Sequence, residues 1–192
     1  DLLHDAGARI VVFDVAFPAD VDREVGTGAL AAAMKRHGRV VVRELTRRRL
    51  APVALLGDRT MGPIDSIIAN HPEIAAAAAA AAPFLLPQPT EVVRQFWVRH
   101  PGLADPVLLP GRAIEAHAEG AADRLAQRLG RAPSGDLDAA GKHAALMAIA
   151  LDAIDRGMVP DDLDEPDRQA IAALGRVHRG SDYAYFNFFG PA

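Results

Sequence analysis

From Arg9 to Phe17 the chain reads R-I-V-V-F-D-V-A-F, and so dense a run of β-branched and aromatic residues predicts a strand covered on both faces, as in the middle of a parallel sheet. Leu30, Ala33, Met34 and His37 follow at helical spacing, with Thr27 as the expected cap and Gly38 as the expected stop. Val40 to Leu45 then reads as a second strand. Strand, helix and strand in that order make a βαβ unit, so the expected class is α/β: a mixed, largely parallel sheet with flanking helices, incomplete at both ends. Arg43 to Pro52 carries Arg43, Arg47, Arg48 and Arg49 without an apolar period. A solvated loop is expected there, and the sharper alternative is a patch for anions or lipid headgroups, to which clustered cations are drawn. Ile64, Ile67, Ile68 and the alanines from Ala75 to Ala82 predict one or two helices broken at His71-Pro72.

Beyond Pro83 the pattern returns to strand. Phe84-Leu85-Leu86, a turn at Pro87 to Thr90 and the run Val92 to Val98 predict a hairpin. Between Gly111 and Leu129 the apolar residues Ile114, Ala118, Ala121, Leu125 and Leu129 step by three and four, which leaves Arg112, Glu115, Glu119, Asp123 and Arg128 for the polar side of an amphipathic helix. Ala139 to Ile154 is apolar nearly all round and predicts a buried helix ended by Gly157; Asp164 is placed to cap a shorter one, with Pro166 in its first turn. Tyr183, Tyr185, Phe186, Phe188 and Phe189 crowd the last segment, which reads as a strand stopped by Gly190-Pro191.

Length and charge narrow the classes. A chain of 192 residues is expected to form a single domain, 1–192. Lys and Arg number 21 against 25 Asp and Glu, a formal charge of -4 that offers duplex nucleic acid no basic footprint. With no cysteine, a disulfide, a thiolate zinc site and a cysteine nucleophile are all excluded. The longest apolar block, Ile74 to Ala82 between Pro72 and Pro83, falls short of the roughly 20 residues that cross a bilayer. The chain opens at Asp1 with neither Met nor a secretory pattern, as expected of a segment cut from something longer.

Candidate chemistry centres on Asp14, an acid inside an apolar strand. It must be hydrogen-bonded, paired or functional, because a bare carboxylate is costly to bury. Ligands of open parallel sheets collect at the carboxyl ends of strands, so Asp14 and Phe17, with the loop through Asp20, form the candidate ligand site. The bland alternative is that Asp14 accepts from loop amides or pairs with an arginine. Asp20, Asp22 and Glu24 suit the start of a helix as well as they suit a cation. The histidines show no helical zinc pair, Gly26-Thr27-Gly28 lacks the third glycine of a dinucleotide cradle, and Ser66, Ser134 and Ser181 lie outside any nucleophile elbow. No metal, cofactor or catalytic residue is expected.

Several separated pieces resemble one family. They are Gly7-Ala8-Arg9-Ile10-Val11-Val12-Phe13-Asp14-Val15-Ala16-Phe17, then the helix with Gly38-Arg39-Val40-Val41-Val42, the Val92-Val93-Arg94 strand and the terminal Phe186-Asn187-Phe188-Phe189-Gly190-Pro191. In this order they are similar to the second class of CHASE-type sensor domains, the extracytoplasmic input modules of bacterial transmembrane cyclases, histidine kinases and serine/threonine kinases. The G-A-x-x-(apolar)-F-D block is the most specific piece. The resemblance implies an α/β sensor held outside the cytoplasm between membrane anchors, with no catalytic residues, an undefined small ligand or membrane signal, and a cytoplasmic output domain. It also implies departures: Gln88-Pro89-Thr90-Glu91 stands where relatives often carry an aspartate-rich turn, and the opening and closing strands of the family are expected to be missing. Exposed sheet edges of that kind favour a homodimer. Two readings from other classes stay open, an α/β enzyme using Asp14 as a metal or acid-base carboxylate and a structural dimerisation module.

Overall fold

The structure is a computed structural model that describes residues 2–19, 26–55, 58–85, 95–100, 103, 105–180 and 183–185. It has the expected mixed α/β character, with a sheet of both parallel and antiparallel pairs and helices packed beside it. The chain divides into two compact units, Asp1–Phe84 and Leu85–Ala192. Among the described residues no helix is long and apolar enough to cross a membrane.

The first unit holds α1 (Leu2–Asp5), β1 (Val11–Ala16), α2 (Thr27–His37), β2 (Val40–Leu55), β3 (Asp58–Ile68), α3 (Pro72–Ala77) and β4 (Ala80–Pro83). The strand predicted at Arg9–Phe17 is present as β1, but its expected position is corrected. The strand in the middle is β2, which pairs in parallel with β1 through Val11↔Val40 to Phe13↔Val42 and with β4 through Val41↔Ala80 to Glu44↔Pro83. Two strands pairing with the same β2 residues must lie on its opposite edges, so Val40, Val41 and Val42 are buried, whereas Val12, Asp14 and Val15 of β1 are exposed. Apolar content alone predicts burial on both faces; here the second face of β1 meets water.

One face of this sheet is covered. Ala31 and Met34 of α2 and Ile74 and Ala77 of α3 close over Val40 and Val42, with Val11, Phe13 and Phe17 packed at the margin. Helix α2 begins one residue earlier than expected: Gly26 occupies the cap position at φ 92°, and Thr27, the expected cap, is already helical. Gly38, at φ 75°, stops it as expected by placing its amide on the Met34 carbonyl.

Two further expectations in this unit are corrected. The arginine-bearing stretch is not a loop: β2 runs on to Leu55 and pairs antiparallel with β3 from Leu45↔Ile68 to Leu55↔Asp58. Cross-strand pairing takes the residues around Ile64, Ile67 and Ile68 that periodicity assigned to a helix, because a continuous ladder overrides a weak local preference. The alanine run is divided as well. It is helical only to Ala77, turns extended at Ala78 and then joins the free edge of β2 as β4. Alanine's helix propensity is a prior that sheet pairing outweighs.

The second unit holds β5 (Gln95–Trp97), α4 (Leu109–Arg128), α5 (Ala139–Asp155), α6 (Glu165–Arg179) and β6 (Tyr183–Tyr185). Of the expected hairpin of 84–86 with 92–98, the turn and residues 86 and 92–94 lie outside the described residues, Phe84 and Leu85 are not in a strand, and β5 pairs antiparallel with β6, Gln95↔Tyr185 to Trp97↔Tyr183. Residues 86–94 and 186–192, with the Val92-Val93-Arg94 and Phe186–Pro191 pieces, lie outside the described residues. The three long helices match their predicted spans closely, and Asp138 and Asp164 accept from the amides of Gly141 and Asp167 as caps. Helix α5 is not buried all round, since its inward stripe is only Leu146, Met147, Ala150 and Ala153. That stripe meets Ala118, Ala121, Ala122, Leu125 and Ala126 of α4 and Ala170, Ile171 and Leu174 of α6. Full burial of Leu125, Leu146 and Leu174 contributes about 1.5–3 kcal/mol each.

Gly111 is where α4 comes nearest to the segment before it, since a Cβ there would sit 2.8 Å from both the Val98 carbonyl oxygen and Val107 Cγ1. Gly111→Ala is therefore expected to lower stability by about 1–3 kcal/mol through overpacking. The exposed helical Gly28, whose added Cβ would meet only Glu73 Oε2 at 3.6 Å, should instead gain about 0.5–1 kcal/mol as Ala. Urea unfolding of the two variants is expected to move in opposite directions; equal shifts would contradict the close approach at Gly111.

Candidate functional site

The sequence-predicted site is partly assembled at the carboxyl end of β1. Phe17 donates its amide to Asn70 Oδ1 at 2.9 Å and accepts from the His71 amide at 2.6 Å, and Asn70 Nδ2 donates to the Arg43 carbonyl at 3.1 Å. Asn70 is buried, and these bonds satisfy both ends of its amide while tying β1, β2 and the entry to α3 together. Asp14 is 59% exposed and pairs with Arg43 at 3.2 Å, the bland alternative that its sequence context allowed. An exposed pair of this kind contributes at most about 1 kcal/mol. Asp20, Asp22 and Glu24 lie outside the described residues. Among the described residues no three His, Asp or Glu side chains are grouped to hold a metal ion.

At the other end of the same strand is a cleft of about 300 Å³. Its walls are Leu2, Leu3 and His4 of α1, Val11 and Phe13 of β1, Leu30, Ala33, Met34 and His37 of α2, and Val40 of β2. The burial pattern of β1 builds it: Val11 and Phe13 turn to the helix-covered face, and Asp14 turns away. The cleft therefore takes in neither Asp14 nor Phe17. His37 is spoken for by its surroundings, because Nε2 lies 3.0 Å from the Ala8 carbonyl and Nδ1 lies 3.3 Å from the Arg39 amide. Both contacts are met by the tautomer that carries its hydrogen on Nε2. His4 meets it edge-on with ring centres 5.8 Å apart. The surface this leaves to an occupant is overwhelmingly apolar.

The second unit holds a polar cluster that sequence reasoning missed. Glu115, assigned by periodicity to the polar side of α4, is 2% exposed. Arg112 Nη1 donates to its Oε2 at 2.5 Å, and His178 Nε2 of α6 lies 2.8 Å from its Oε1. His143 of α5 faces the same Oε2 with Nε2 at 3.8 Å and faces Glu119 with Nδ1 at 3.2 Å. Arg112 also pairs with Asp105, and Arg99 Nη1 donates to the His178 carbonyl at 3.1 Å. Burial pushes the Glu115 carboxyl up, but His143, His178 and Arg112 outweigh it and hold the group well below the usual carboxylate range. The Glu115 and Glu119 carboxylates push His143 the other way, up to about 9 against the opposing effect of burial. A signal was present in sequence: Arg112 and Glu115 stand at an i,i+3 spacing on a helix. What it could not supply is the two imidazoles, which arrive from distant positions.

Neither protein-family models, nor curated proteins, nor solved structures yield a match to the chain.

Removing the central charge should be costly, since Glu115→Gln leaves Arg112 and both histidines facing a neutral amide in a buried setting. A loss of about 3–5 kcal/mol is expected in urea unfolding. The acid side follows from the sign of the shift. A depressed carboxyl stabilises fully above its ordinary value of 4.5 and loses that stabilisation as pH falls below it. Wild-type stability should therefore decline on acidification below about 4.5 more steeply than that of Glu115→Gln; parallel declines would contradict an ionised Glu115 bonded to Arg112 and His178.

Proposed function

We propose that the chain is a non-catalytic sensory input domain of a transmembrane signalling receptor, held on the extracytoplasmic side of the membrane, and that its ligand site is the apolar cleft between α1, α2 and β1. The observation that carries this reading is the cleft: about 300 Å³, at the small end of the range for small-molecule sites, concave and lined by apolar side chains with few polar groups. The resemblance of the Gly7–Phe17 and Gly38–Val42 pieces to CHASE-type sensors supports the receptor context. The ligand chemistry follows from the walls. Both His37 nitrogens are engaged by backbone groups and His4 meets that ring edge-on, so the remaining walls are apolar and suit a small, neutral, apolar molecule. The partners that complete the function are a second copy of the chain and a cytoplasmic cyclase or kinase output, with ligand binding biasing the arrangement of the two copies.

The enzyme alternative loses its main support from the exposure of Asp14 and its pairing with Arg43.

Titration with the neutral fluorophore N-phenylnaphthylamine tests the site. The wild-type protein is expected to give a saturable rise in fluorescence, and Ala33→Trp, which fills the cleft from α2, is expected to abolish it with the fold retained by circular dichroism. An equal signal from both proteins would remove the cleft as the ligand site. Alkaline phosphatase inserted at the exposed Gly135 of the complete reading frame should be active in a bacterial host, as only an extracytoplasmic position allows; an inactive but stable insertion would sink the receptor reading.

A further inference from the structure

Helix α5 is fastened unevenly. Its buried residues begin at Leu146, so residues 139–145 contribute no buried side chain to the core. What holds these first turns to α4 is polar: His143 lies between the Glu115 and Glu119 carboxylates, and Lys142 Nζ lies 3.9 Å from Asp123. The two ring nitrogens of His143 each face a different carboxylate, at 3.8 and 3.2 Å. A neutral imidazole has one N–H and one lone pair, so it can satisfy only one of them and turns its lone pair on the other. The site as built is therefore a site for an imidazolium.

We propose that His143 is a proton-operated latch, which binds a proton to hold the first turns of α5 against α4 and lets them go when the medium becomes alkaline. This goes beyond the sensory reading, because it concerns the helices of the second unit and not the cleft, and it stands or falls without it. The charged and titratable groups around the latch are Arg112, Glu115 and Glu119 on α4, His178 on α6, Asp105 before α4 and Lys142 on α5 itself. Deprotonation leaves Glu115 with Arg112 and His178, so the carboxylate stays satisfied and the unit stays folded while α5 loses its polar fastening. The sign follows from the raised value: the stabilisation is complete below the ordinary 6.5 and disappears as pH rises through about 9. Local opening of a segment without buried apolar contacts is the expected consequence, since such segments lie at the low end of a protein's stability range.

The test combines a titration with amide exchange. In carbon-detected NMR the His143 ring of the wild-type chain is expected to titrate near 9, and the exchange protection of residues 139–145, corrected for the intrinsic pH dependence, is expected to fall by about tenfold or more across that transition. His143→Gln should show the low, pH-independent protection of the released state at every pH, with residues 146–155 unaffected. If that variant fails to fold, Glu119→Gln gives the same answer by moving both the ring titration and the loss of protection to lower pH. A His143 ring that titrates at its ordinary value, or wild-type protection that is flat through the ring's titration, would overturn the latch.

Discussion

A buried carboxylate is tolerable only where its oxygens are bonded to donors and its charge is met, and the second unit is arranged around that constraint at Glu115. An isolated ionised carboxylate in a low-dielectric setting costs several kcal/mol. Glu115 avoids that cost through groups from all three long helices: Arg112 of its own α4 and His178 of α6 are bonded to it, and His143 of α5 faces it at 3.8 Å. The alanine-rich contact below it, from Ala118 to Ala126, lets the helices approach closely but has little shape to fix their register. The polar cluster supplies what the alanines lack, a directional requirement that all three helices meet at one level.

The first unit is organised by a different constraint, the saturation of β2. Parallel partners line both edges of β2, helices on one face bury Val40 and Val42, and Val41 is buried on the opposite face. With the central place taken, β1 is left with an exposed set and an inward set, and the inward set forms the wall of a cleft. The proposed ligand site is thus a by-product of strand order: the same alternation that turns Asp14 to water and to Arg43 turns Phe13 to the apolar space below α2. Asn70 keeps this arrangement in register from the far end of the strand through its bonds to Phe17 and Arg43.

What was legible in the sequence was mostly local. The three long helices could be read from spacing, from Asp164 as a capping side chain and from Gly130 and Gly157 in the left-handed region, because those signals act within a few residues. What was not legible depended on partners far along the chain. Apolar density marked β1 as a strand but could not say that β2 would take the centre. The alanines after Ile74 gave one propensity and two fates, helix to Ala77 and strand from Ala80, because the edge of β2 was available to the second half. The arginine stretch read as a loop because its pairing ladder is completed only by residues up to Ile68. The candidate site divides in the same way. Asp14 with Arg43 was among the alternatives, whereas the cleft and the Glu115 cluster each need side chains that only the fold brings together.

A single carboxylate couples separate helices, and a double-mutant cycle between Glu115 and His143 measures that coupling directly. The single variants Glu115→Gln and His143→Gln, the double variant and the wild type would be unfolded in urea at neutral pH, where the imidazolium is intact. A coupling of about 0.5–3 kcal/mol is expected between the two positions, the range for residues within one charged network. Effects that simply add, with no coupling beyond about 0.3–0.5 kcal/mol, would contradict it, because Glu115 would then play no part in holding α5 to α4.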